Sequence, residues 1–74
     1  MKGKNTFTEE EARKIRALIS EKLRTPSDKQ VSVRNKIRKI GFYYTDFRQD
    51  IIPGGYRVED FDELIETGKI IIIK

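Results

Sequence analysis

At 74 residues, with a net charge of +4, the chain has room for one domain, which hides only about 60% of the surface its unfolded form exposes. It contains neither cysteine nor histidine. Disulfides and thiolate metal sites are excluded, the commonest neutral-pH catalytic base is missing, and a reducing compartment such as the cytoplasm is the natural expectation.

The N-terminus, Met-Lys-Gly-Lys-Asn, lacks the apolar run of a signal peptide, and nowhere do roughly eighteen apolar residues stand together as a membrane span requires. A soluble protein is expected. Charge is unevenly placed: residues 1–41 hold twelve basic and five acidic side chains (+7), whereas residues 42–74 hold four basic and seven acidic (−3).

Residues 1–6 read as a flexible basic tail and 7–74 as one domain. Thr8-Glu-Glu-Glu11 is a helix start, because the Thr8 hydroxyl accepts the Glu11 amide while the Glu11 carboxylate reaches back. Ala12, Ile15, Leu18, Ile19 and Leu23 then recur at helical spacing, with Glu9/Arg13 and Glu10/Lys14 as outer pairs, to about Arg24. Thr25-Pro-Ser-Asp28 predicts a second cap, with proline at the first helical position. The second helix ends at Gly41, the residue type that most readily takes a left-handed cap.

Phe42-Tyr-Tyr-Thr-Asp-Phe47 is aromatic and alternating, which predicts a strand. Arg48–Gly55, with its Pro-Gly-Gly, predicts a surface loop pinned at its far end by Tyr56. Val58–Thr67 predicts a short helix: Val58, Phe61, Leu64 and Ile65 form its apolar arc, Glu59, Asp60, Asp62, Glu63 and Glu66 face outward, and Gly68 is the stop. Lys69–Lys74 holds four isoleucines between lysines and predicts a terminal strand. The expected fold is therefore α+β, in the order helix, helix, strand, helix, strand, with the two strands paired. Parallel pairing would use the third helix as crossover; antiparallel pairing would carry the loop across the sheet end.

Catalysis is not expected, since Ser20, Ser27 and Ser32 have no evident activating partner. Asp46, Asp50, Asp60 and Asp62 carry the oxygen ligands magnesium prefers, but an acidic helix face is more commonly just solvated. No metal, cofactor or small-molecule ligand is expected.

The second helix is the informative element. Val33, Ile37 and Ile40 form its apolar stripe, placing Arg34, Asn35, Arg38 and Lys39 on the opposite side. No acid lies four residues from any cation of this helix, so its charges are unpaired locally. Arginines beside an asparagine are the side-chain types that hold phosphates and read base edges, which makes Arg34, Asn35, Arg38 and Lys39 candidates for nucleic-acid contact. The plain alternative is a solvated face that keeps the protein soluble. Tyr43 suggests stacking of an unpaired base, although core packing explains the rings of this segment more cheaply. The rival partner is another protein or a second copy. Ile70, Ile71, Ile72 and Ile73 put apolar groups on both faces of a terminal strand, and an uncovered edge strand is a pairing site.

Ile37-Arg-Lys-Ile-Gly-Phe-Tyr-Tyr-Thr-Asp-Phe47, with Gly55-Tyr-Arg-Val-Glu-Asp-Phe-Asp-Glu-Leu-Ile65 and the terminal Gly68-Lys-Ile-Ile-Ile72, resembles a small bacterial domain of uncharacterised proteins. The likeness covers most of the chain after Thr8 and implies no activity. Arg57 stands where a capping threonine or serine is expected before the third helix.

Overall fold

A computed structural model describes residues 2–47 and 56–74. Strand β1 (Thr6–Thr8) leads into helix α1 (Glu9–Leu23), followed by a 3₁₀ turn at Ser27–Lys29, helix α2 (Gln30–Ile40), a second 3₁₀ turn at Tyr44–Asp46, helix α3 (Val58–Glu66) and strand β2 (Ile71–Ile73). The fold is α+β, with a two-stranded parallel sheet in which Thr6, Phe7 and Thr8 face Ile71, Ile72 and Ile73.

The first strand lies at the N-terminus and not at Phe42–Phe47. After the left-handed Gly41 (φ 115°) the chain is extended only briefly, then turns into 3₁₀ conformation at Tyr44. Phe42 and Tyr44 do point inward together, as alternation requires, but they feed an aromatic cluster and, among the described residues, pair with no strand. The three residues of β1 are too few to print a period, and Thr8 is at once its last residue and the N-cap of α1. The stretch read as a tail is held along its length. Lys2 and Gly3 donate their amides to Asp46 (both 2.8 Å), and the Lys4 amide donates to the Gly41 carbonyl (2.9 Å). The expected loop at Arg48–Gly55 falls outside the described residues.

Helix boundaries follow local chemistry. The Thr8/Glu11 capping box is formed at 3.1 and 3.0 Å. Thr25 does not cap α2: its hydroxyl donates back to the Glu21 carbonyl (2.7 Å), and Pro26 opens the 3₁₀ turn that precedes the helix. At α3 Arg57 offers no side-chain acceptor to the first turn, and only the return half of a capping box is made, the Asp60 carboxylate accepting the Arg57 amide at 2.8 Å. Gly68 (φ 79°) then ends α3, and Ile70 donates to the Leu64 carbonyl.

The core joins Phe7 and Ile70 from the strand region to Ala12, Ile15 and Ile19 of α1, Val33 and Ile37 of α2, and Phe61 and Leu64 of α3. Phe42 is its hub, its ring edge-on to Phe61 (5.1 Å between centroids), Tyr56 (5.8 Å) and Phe7 (6.2 Å). Such pairs add about 0.5–1.5 kcal/mol each beyond area burial. The α1 stripe departs from expectation at its end: Leu23 is exposed, and Lys22, three residues after Ile19, is buried at 2% exposure. Its alkyl stem continues the apolar row while its ammonium sits 3.6 Å from the centroid of the Tyr56 ring.

Candidate nucleic-acid interface

Val33 and Ile37 dock α2 against α1, and this docking fixes where the helix presents its other side chains. Asn35, Arg38 and Lys39 are exposed, as expected. Arg34 is not wholly outward. It is half-buried, and its Nε is shielded from solvent without a hydrogen-bond partner among the described residues. One turn further on, the Arg38 guanidinium carbon lies 5.9 Å from the centroid of the Tyr43 ring. Among the described residues neither arginine forms an ion pair, although Lys4, Lys14 and Arg16 elsewhere do.

The helix and the segment after Gly41 enclose a narrow cleft of about 150 Å³, lined by Arg34, Arg38, Tyr43, Tyr44, Thr45 and Tyr56 with Phe42 behind. A wider depression of about 440 Å³ adjoins it, formed by Asn35, Arg38, Lys39 and Tyr43. Arg38 and Tyr43 belong to both. All four residues singled out on α2 therefore border one continuous surface. Its aromatic wall is only partly legible in the sequence: Tyr43 suggests stacking, whereas Tyr56 reads as a core residue and loop anchor. In the folded chain Tyr56 stacks on Tyr44, with centroids 4.4 Å apart and planes 8° from parallel.

Electrostatics here are one-sided. Burial lowers the Lys22 pKa from its ordinary 10.5; the Arg34 charge lowers it further and Asp60 opposes the shift. Burial pushes the Tyr56 phenol up to about 12, with the charges of Arg38 and Arg34 acting the other way. Two arginines and the Tyr56 phenol thus line one cleft, with Lys22 behind the Tyr56 ring, an arrangement suited to an anion. Lys22 escaped sequence reasoning because lysine is rarely counted as core; its position on the 12-15-19-22 row was the available signal.

The isoleucine strand divides. Ile70 is in the core at 1% exposure, packed with Phe7 and the helices. Ile72 is half-buried opposite Phe7, and only Ile71 and Ile73, at 54% and 53% exposure, face away. The acidic face of α3 is partly neutralised within the molecule, since the Asp62 carboxylate accepts from Arg16 Nε at 2.8 Å.

Among the described residues no acidic cluster suits a metal ion, and no helix is long and apolar enough to cross a membrane. No protein-family model, curated protein or solved structure matches this chain.

Proposed function

We propose that the protein is a cytoplasmic, non-enzymatic binding module that contacts the nucleic-acid backbone through α2. Arg34, Arg38 and Lys39 hold phosphates, and Asn35 offers neutral hydrogen bonds beside them. One observation carries this reading: among the described residues the arginines of α2 have no carboxylate partner, and both border the same cleft. A chain without histidine or cysteine, in which the Ser32 hydroxyl is given to the Lys29 carbonyl, supports binding over catalysis.

The test is fluorescence anisotropy with a labelled generic oligonucleotide across a salt series. Neutralising three phosphates makes log K fall against log salt with a slope of about −2 to −3. A flat response, or no binding at about 50 mM salt, rules the reading out.

A second reading rests on β2. Ile71 and Ile73 are exposed side by side on a two-stranded sheet, and a further strand or a second copy would cover them. Sedimentation velocity over a dilution series decides this: a mass that falls on dilution, and falls further for Ile71→Lys with Ile73→Lys, supports self-association. A monomer at every concentration excludes it.

A further inference from the structure

We infer that the α2 surface takes an unpaired strand, with one phosphate seated in the narrow cleft between Arg34 and Arg38 and the adjoining base laid on Tyr43. This rests on the nucleic-acid reading above and narrows it to a substrate class.

The narrow cleft has a volume of about 150 Å³, room for several waters. That admits a phosphate or sugar-phosphate and excludes a duplex or a helix. Arg34 lines it, and among the described residues its guanidinium has no ion pair and its Nε, shielded from solvent, makes no hydrogen bond. Buried N–H groups are ordinarily satisfied, and a phosphate oxygen is the acceptor a guanidinium fits best. A duplex holds its phosphates on a stiff convex surface with its bases already stacked. It meets the tips of Asn35, Arg38 and Lys39 but does not follow Arg34 inward. An unpaired strand bends freely enough to turn one phosphate in.

The wider depression supplies the rest. Tyr43 lines both openings, is only half-buried, and carries Arg38 beside its ring at 5.9 Å. A base placed against that ring lies one step along the strand from the phosphate and gains both the aromatic face and the guanidinium plane. Gly3 helps to set the ring's position: a side chain there would meet Tyr43 Cδ1 at 2.6 Å and collide with the Gly41 carbonyl oxygen. The N-terminal segment therefore braces the platform.

The test compares a short labelled oligouridylate with a hairpin duplex of equal phosphate number, by anisotropy at about 50 mM salt. The unpaired strand is expected to bind about tenfold tighter, and Tyr43→Ala to weaken it by about tenfold while leaving the hairpin nearly unchanged; Tyr43→Phe retains the preference. Because Tyr43→Ala risks disturbing the fold, the unmodified protein is also followed by NMR, where ring-current shifts of the Tyr43 ring protons on adding oligouridylate are the expected sign of stacking. Equal affinity for the two ligands, or unmoved Tyr43 ring protons at saturation, overturns the unpaired-strand inference and leaves backbone contact standing. Failure of both ligands to bind overturns both.

Discussion

Helices α1 and α2 lie against each other and each carries four basic residues, yet α1 also carries four acids and α2 none. On α1, Lys14 meets Glu10 at 3.7 Å, and Arg16 reaches across to Asp62 at 2.8 Å. Exposed pairs of this kind contribute only about 0–1 kcal/mol to stability, but they occupy two of the four α1 cations, Lys14 and Arg16. On α2 the same residue types are left with water, an aromatic ring and a cleft. Charge density alone therefore says little; the difference lies in whether a counter-ion comes with it.

The sharpest way to break this comparison is to reverse α2 and α1 in turn. Arg34→Glu with Arg38→Glu is expected to weaken oligonucleotide binding by about a hundredfold or more at low salt, whereas Lys14→Glu with Arg16→Glu changes it several-fold at most. Anisotropy on both pairs checks this, and equal losses would mean only a diffuse field is at work. Next in size, Gly41→Ala forces an L-residue into φ 115° between α2 and the aromatic segment. It is expected to lower unfolding free energy in urea by about 1–3 kcal/mol.

Lys22 sharpens the contrast from inside α1, as the one cation there held from solvent. Lys22→Met should raise stability by about 1 kcal/mol at neutral pH, since an ammonium with no ion pair among the described residues leaves the core and only a cation–π contact is lost. The sign with pH follows from proton binding. With its folded pKa below 10.5, Lys22 binds fewer protons folded than unfolded in the window up to that value, so its contribution to stability improves as pH rises. Tyr56, raised from 10.0 to about 12, acts oppositely: its contribution is complete below pH 10 and is lost as pH rises toward 12. Urea melts as pH rises toward 10.5 should therefore show stability falling less, or rising more, in the parent protein than in Lys22→Met.

The smallest effect is expected at Asp46. Its carboxyl is held below the usual range by the Lys2 amide above all, then by the Gly3 amide and the Lys2 charge, while burial acts against them. The stability it contributes is present above its ordinary 3.8 and is lost as pH falls through the lower folded value. Asp46→Asn should speed hydrogen exchange of the Lys4 amide and of β1 with little change in global stability. Unaltered exchange would show that the Gly41 carbonyl and the pairing with β2 hold the N-terminal segment without the Asp46 carboxylate.

Much of the frame was legible because its signals are local. The Thr8/Glu11 box, the left-handed glycines at 41 and 68, and the apolar rows of three helices each arise within a few residues. What was missed depends on contacts far apart in sequence. Thr6–Thr8 becomes a strand only because Ile71–Ile73 returns beside it, whereas Phe42–Phe47, with better strand chemistry, has Phe42 packed on Phe61 and Tyr56 and, among the described residues, no strand beside it. Of the candidate site, the α2 row could be read from the absence of acids and the spacing of Val33 and Ile37. Its aromatic wall and the inward Arg34 could not, since both depend on how the segment after Gly41 and Tyr56 fold over the helix.

A backbone NMR titration with a generic oligonucleotide tests the central claim most directly. Shifts concentrated at Arg34, Asn35, Arg38, Lys39 and Tyr43, with Lys14 and Arg16 still, are the predicted result. Silence along α2, or shifts spread evenly over the lysines and arginines of both helices, would contradict it.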